Sequence, residues 1–100
     1  MQKKYSKAEA LKIIKRIYRN GITIPTGHLK EQMFKKDFDI HDVLCAIENG
    51  IIYDEPEIHI RTGELTYRVQ GERIDGGKLT VVIQISEEDD SIIILTGIPK

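Results

Sequence analysis

The stretch that most constrains this chain is Leu79–Ile85, Leu-Thr-Val-Val-Ile-Gln-Ile. Side chains along a strand alternate between its two faces. Here Leu79, Val81, Ile83 and Ile85 take one face and Thr80, Gln84 and Ser86 the other, with Val82 alone out of pattern. That pattern predicts a half-buried strand. Asp75-Gly76-Gly77 precedes it and Glu87-Glu88-Asp89-Asp90 follows, and each run returns the chain into an antiparallel neighbour, Leu65–Ile74 before and Ile92–Thr96 after. A strand paired on both sides lies inside a sheet, so the rest of the chain must cover one face of it.

The first half of the chain supplies the cover as helices. Ser6-Lys7-Ala8-Glu9 is a capping box, in which the serine oxygen accepts from the third helical N–H and the glutamate reaches back. Ala10, Leu11, Ile14, Ile17 and Tyr18 then recur at helical spacing, with Lys12, Lys15, Arg16 and Arg19 largely opposite, until Asn20-Gly21. Ile22–Pro25 is expected as a short extended linker, because the residue before a proline is pushed out of the helical region. A second helix, roughly His28–Lys36 and starting near Thr26-Gly27, turns Leu29 and Met33 to the core and sets His28 with Gln32 on a neighbouring stripe. Asp39 caps a third helix carrying Ile40, Val43, Leu44 and Ile47, which ends at Asn49-Gly50 with a left-handed residue.

From Ile51 onward the period is two. Ile58 and Ile60 alternate with Glu57, His59 and Arg61, Thr62-Gly63 turns the chain, and Leu65, Tyr67 and Val69 alternate with Thr66, Arg68 and Gln70. The expected fold is therefore α+β, with three N-terminal helices on the odd-numbered, apolar face of a four-stranded antiparallel meander. The length of 100 residues suits one domain, 1–100, with one modest core.

Charge is the informative part of the composition. Residues 1–36 hold ten Lys/Arg against Glu9 and Glu31, whereas residues 37–100 hold five Lys/Arg against fourteen Asp/Glu. A basic half is joined to an acidic half, so the first helix is the expected surface for an acidic ligand, RNA or protein, unless its lysines are simply solvated. No apolar run approaches the roughly 20 residues of a membrane span. Met1–Tyr5 is basic but leads into an amphipathic pattern, unlike the apolar core of a secretory signal, so a cytoplasmic protein is expected. Cys45 is the only cysteine, which excludes an intrachain disulfide and a thiolate metal cluster.

No nucleotide-loop, dinucleotide, nucleophile-elbow or zinc-protease motif is present, and no cofactor or metal is expected. His41 and Cys45 have ligand spacing on one helix, but two ligands are too few. The polar sheet face, with Arg61, Thr66, Arg68, Gln70, Thr80 and Gln84, has the chemistry to grip phosphates and bases; it also reads as the solvated face of a two-layer domain. His28, near a helix start, is either a proton-transfer group or a surface residue.

The run from His28 through Gln32-Met33, Lys36, Phe38 and Asp42-Val43 to Ile47-Glu-Asn-Gly50 resembles a family of small bacterial proteins of unknown function that opens H-x-x-x-R-M-x-x-R. Thr96, in Ile-Ile-Ile-Leu-Thr, matches a threonine near the end of the family's last strand, so the resemblance covers nearly everything after residue 27. The family is similar in element order to toxins of the RelE, BrnT and MqsR type. The resemblance implies a RelE/MqsR-like fold and a metal-independent endoribonuclease of a toxin–antitoxin pair, with single-stranded mRNA as substrate and a small antitoxin as partner. On that reading His28 is the acid or base, Lys36, Arg61 and Arg68 are phosphate-binding cations, and Tyr67 and Thr96 are further catalytic candidates. Tyr67 shares parity with Leu65 and Val69, so its alternative is a buried tyrosine. The chain departs from the pattern at Gln32, where arginine is expected, and at Lys36. Losing a bidentate cation favours a second reading, a catalytically degenerate protein-binding module of the same fold.

Overall fold

The computed structural model describes residues 3–100; Met1 and Gln2, the first residues of the basic stretch read against a secretory signal, lie outside it. The chain runs α1 (Lys7–Asn20), β1 (Ile22–Pro25), α2 (Gly27–Lys36), α3 (Ile40–Asn49), β2 (Glu57–Ile58), β3 (Leu65–Glu72), β4 (Lys78–Ser86) and β5 (Ser91–Pro99). No helix among the described residues is long and apolar enough to cross a membrane.

Local chemistry starts each helix. Ser6 and Glu9 form the capping box of α1, and Asp39 and Asp42 form a second at α3. Thr26 caps α2, its Oγ1 accepting from the Leu29 N–H at 3.2 Å. Each such cap contributes about 1 kcal/mol. Gly50 is extended, not left-handed as expected. A side chain there would run into the Ala46 carbonyl and Val69, so close packing is what requires the glycine.

The sheet is five-stranded and mixed, in the order β1-β5-β4-β3-β2, which overturns the expected four-stranded antiparallel meander. The difference lies in Ile22–Pro25. Instead of a linker, these residues pair in parallel with Ser91–Ile94, and the Ile22 N–H donates to the Asp90 carbonyl at 3.0 Å. Backbone donors beside a sheet edge need partners, and the open edge of β5 supplies them. The meander's first strand shrinks correspondingly. Only Glu57 and Ile58 pair with β3, because the chain already turns at His59, whose carbonyl accepts from Gly63 N–H at 2.8 Å, and Ile60 is left fully exposed. The class is still α+β.

β4 is paired on both sides, with β3 and with β5. Its Leu79, Val81, Ile83 and Ile85 join Tyr67 and Val69 of β3 and Ile92 and Ile94 of β5 in one buried cluster. The helices close over that face through Ala10, Ile14, Ile17, Leu29, Val43, Ala46 and Ile47. α3 approaches so closely that a side chain at Gly71 would collide with the Ala46 carbonyl. Between Val82 and Ile83 the register slips, since Val82 faces Thr96 while Ile83 faces Ile94. Leu95 is thus the extra residue of a β-bulge, and it reverses the parity of β5. Ile94 and Gly97 both face the helices, Gly97 against the Phe38 ring, while Thr96 joins the second face.

Candidate functional site

The second sheet face carries no helix, and the register fixes what stands on it. Arg68, Val82 and Thr96 form one cross-strand row, and Gln70, Thr80 and Ile98 the next. Neighbouring strands lie about 4.8 Å apart, so the backbones of Arg68 and Thr96 are separated by roughly 10 Å across β4.

At the β5 end of the first row stands α2. β1 pairs with β5 only as far as Ile94, leaving the rest of that edge for α2 to complete. Thr26 N–H donates to the Ile94 carbonyl at 3.2 Å, and Thr26 Oγ1 lies 3.1 Å from the same oxygen and 3.2 Å from the Leu95 carbonyl. Nearly two turns on, Gln32 Oε1 accepts from Thr96 Oγ1 at 2.6 Å and from the Gly97 N–H at 3.1 Å. Gln32 therefore ties α2 to the bulge. His28 and Lys36, one turn before and after it on the same stripe, are both exposed.

Of the six sequence-derived candidates, Arg68 and Thr96 thus share a row on the open face, and His28 and Lys36 flank on α2 the glutamine that bonds Thr96. Arg68 is half-exposed and its Nε stands 3.2 Å from Glu57 Oε1. An exposed pair of this kind contributes only about 0.2–1 kcal/mol, so a phosphate can displace the carboxylate at small cost. Arg61 lies apart, at the exposed tip of the β2–β3 connection, where its N–H donates to His59 Nδ1 at 3.3 Å. Tyr67 lies on the helix-covered face. It is buried, and its hydroxyl accepts from the Tyr5 N–H at 2.8 Å.

Electrostatic perturbation concentrates elsewhere. The Tyr5 hydroxyl donates to Glu87 Oε1 at 2.5 Å, and this bond together with burial pushes the Tyr5 phenol up to about 12. Burial raises Tyr67 as well. Burial pushes Asp42 up too, but the N–H groups of Asp39 and Ile74 and the Arg73 guanidinium outweigh it and hold the carboxyl below its ordinary value. These groups hold Tyr5 and the β3–β4 turn in place. Among the described residues no three His, Cys, Asp or Glu side chains converge as a metal site.

Sequence reasoning did not give Gln32 its structural role, because its partners lie 64 and 65 positions away. It also missed Tyr53. Ile51 and Tyr53 flank buried Ile52 at period two, a short extended signal with nothing to reveal its pairing. In the fold Ile51 bridges to Gln70, which sets Ile51 and Tyr53 on the open face.

The family described as a domain of unknown function (DUF4258) matches residues 26–96. The match begins at the cap of α2 and ends at Thr96, so it spans all six candidates and leaves out α1 and β1. No curated protein and no solved structure matches the chain.

Proposed function

The chain belongs to the DUF4258 family, and from that premise we propose that it is a toxin-like, metal-independent endoribonuclease that cleaves single-stranded mRNA and is held in check by a small antitoxin. The observation that carries this reading is the cross-strand row of Arg68 and Thr96 on the open sheet face, with Gln32, which His28 and Lys36 flank on α2, bonded to Thr96.

The chemistry asks for little more than positioned polar groups. The ribose 2′-oxygen attacks the adjacent phosphorus, the P–O2′ bond forms as P–O5′ breaks, and a 2′,3′-cyclic phosphate and a 5′-hydroxyl result. The proton on O2′ must leave and O5′ must gain one. His28 serves one of these transfers, imidazole being suited to proton exchange near neutral pH, and water serves the other. Arg68 and Lys36 hold the phosphate and its developing charge, and Thr96, whose hydroxyl proton goes to Gln32, fixes the α2 edge in line with Arg68. A positioned proton-transfer group such as His28 contributes about 10²–10⁴-fold in rate.

The purified chain should cut single-stranded RNA containing all four bases, and His28→Ala should lose at least about 100-fold in rate with its melting temperature unchanged, since His28 is exposed. Wild-type protein that leaves such RNA intact would sink the reading. A second reading, a degenerate protein-binding module, is favoured by Gln32, whose oxygen is fully used within the fold. Cleavage that appears only in Gln32→Arg would establish that alternative.

A further inference from the structure

The open face continues past Arg68 into a groove that no candidate residue explains. It has a volume of about 560 Å³ and is half-open to solvent, within the range of small-ligand sites. One side of it is apolar, with Tyr53 59% and Ile51 49% exposed. Its floor is Gln70 and Thr80, which face each other in the row next to Arg68 and Val82. Lys78 and Lys100 stand at the rim, with Lys78 Nζ 3.3 Å from Glu72 Oε2.

We propose that this groove is a nucleobase subsite, taking the base of the nucleotide next to the scissile phosphate; the proposal rests on the ribonuclease reading of the open face. Each wall has its own role. An exposed tyrosine ring beside an isoleucine offers a stacking surface that any base can use. A carboxamide and a hydroxyl side by side offer donors and acceptors to a base edge, a pairing that suits a heterocycle better than a purely apolar ligand; the Gln70 Nε2 contact to Asp54 Oδ2, 3.5 Å and exposed, is the one a base edge replaces. Two lysines at the mouth suit the attached phosphate, and the exposed Lys78–Glu72 pair gives way at little cost. The groove's row follows the Arg68 row by two residues along each strand, about 7 Å, a separation that an extended single strand bridges in one nucleotide step.

The test uses a fluorescent single-stranded oligonucleotide methylated at every 2′-hydroxyl, which lacks the attacking group and is bound without being cut. The full-length protein should bind it. Tyr53→Ala should weaken binding roughly 5- to 100-fold by loss of stacking, while Tyr53→Phe stays within about 2-fold because the ring remains. Lys78→Gln should lower the salt dependence by roughly 0.7 in log–log slope. Melting temperatures of the variants should match wild type, as Tyr53 and Lys78 are exposed. Binding that ignores Tyr53→Ala, or no binding at all, overturns the subsite. Tyr53-dependent binding by a protein that cuts no RNA keeps the subsite and removes the nuclease, whereas cleavage and binding both indifferent to Tyr53 remove the subsite alone.

Discussion

At the scale of single residues, Gln32 carries the most consequence, because one oxygen satisfies both the Thr96 hydroxyl and the Gly97 N–H where β1 no longer covers β5. Gln32→Ala strands that half-buried backbone donor, and stability to urea should fall by about 1–2 kcal/mol. Gln32→Arg should cost at least as much, since a guanidinium cannot accept; an unchanged urea midpoint in both variants would show that the contacts contribute nothing. Tyr5 supplies a pH prediction of definite sign. Its phenol is raised from 10.0 to about 12 by the Glu87 bond and by burial, so its stabilisation is complete below pH 10 and fades as pH rises toward 12. Unfolding midpoints measured across that window should fall, and the fall should shrink in Tyr5→Phe; equal slopes in the two proteins would contradict the assignment. The site was legible at this scale only in part. The stripe of His28 and Gln32 follows from helical spacing, and the burial of Tyr67 from strand parity, but what Gln32 and Tyr53 touch depends on pairings far along the chain.

Elements were legible where their signals are local. The Ser6–Glu9 capping box, the Asp39 cap and the alternation of β4 sit within a few residues of sequence, and the structure places α1, α3 and β4 accordingly. β1 was not, because four residues ending in proline are too few to establish a period, and their parallel partner begins 69 positions later, at Ser91 opposite Ile22. Nor was the bulge at Leu95, whose extra residue shows only against β4. Close approach of elements gives this scale its test. α3 lies so near β3 that a methyl group at Gly71 meets the Ala46 carbonyl, so Gly71→Ala should destabilise by about 1–3 kcal/mol through overpacking. Gly27, at the start of α2, has open space around its missing side chain. Gly27→Ala should therefore be neutral or stabilise by up to about 1 kcal/mol, because alanine loses less freedom on folding. Thermal melts of the two variants check both, and similar shifts in the two would mean that helix–sheet contact is not what demands Gly71.

At the scale of the molecule, the basic half and the acidic half are stitched together. Arg16 reaches Glu87 and Asp90 at 3.7 and 3.9 Å, and Arg19 Nη2 meets Glu48 Oε1 at 2.7 Å, so two of the cations in the first helix face acidic groups of their own chain. Lys7 and Lys12 remain exposed on α1, with Lys15 beside them. They lie on the helix layer, however, and the candidate site occupies the uncovered sheet face behind it. This separation alters what α1 is expected to do for RNA. On the proposed ribonuclease reading phosphates are neutralised on the open face, and charges on the helix layer act there only through a field screened within about 10 Å at 0.1 M salt. Replacing Lys7, Lys12 and Lys15 by glutamate should therefore leave the log–log salt slope for a 2′-methylated oligonucleotide nearly unchanged. Arg68→Gln alone should lower it by roughly 0.7. Titrations of both variants between low and moderate salt decide between the two surfaces. A slope that falls by about 2 in the triple variant and stays fixed in Arg68→Gln would move the nucleic-acid surface to α1, leaving His28 and Thr96 without a substrate within reach.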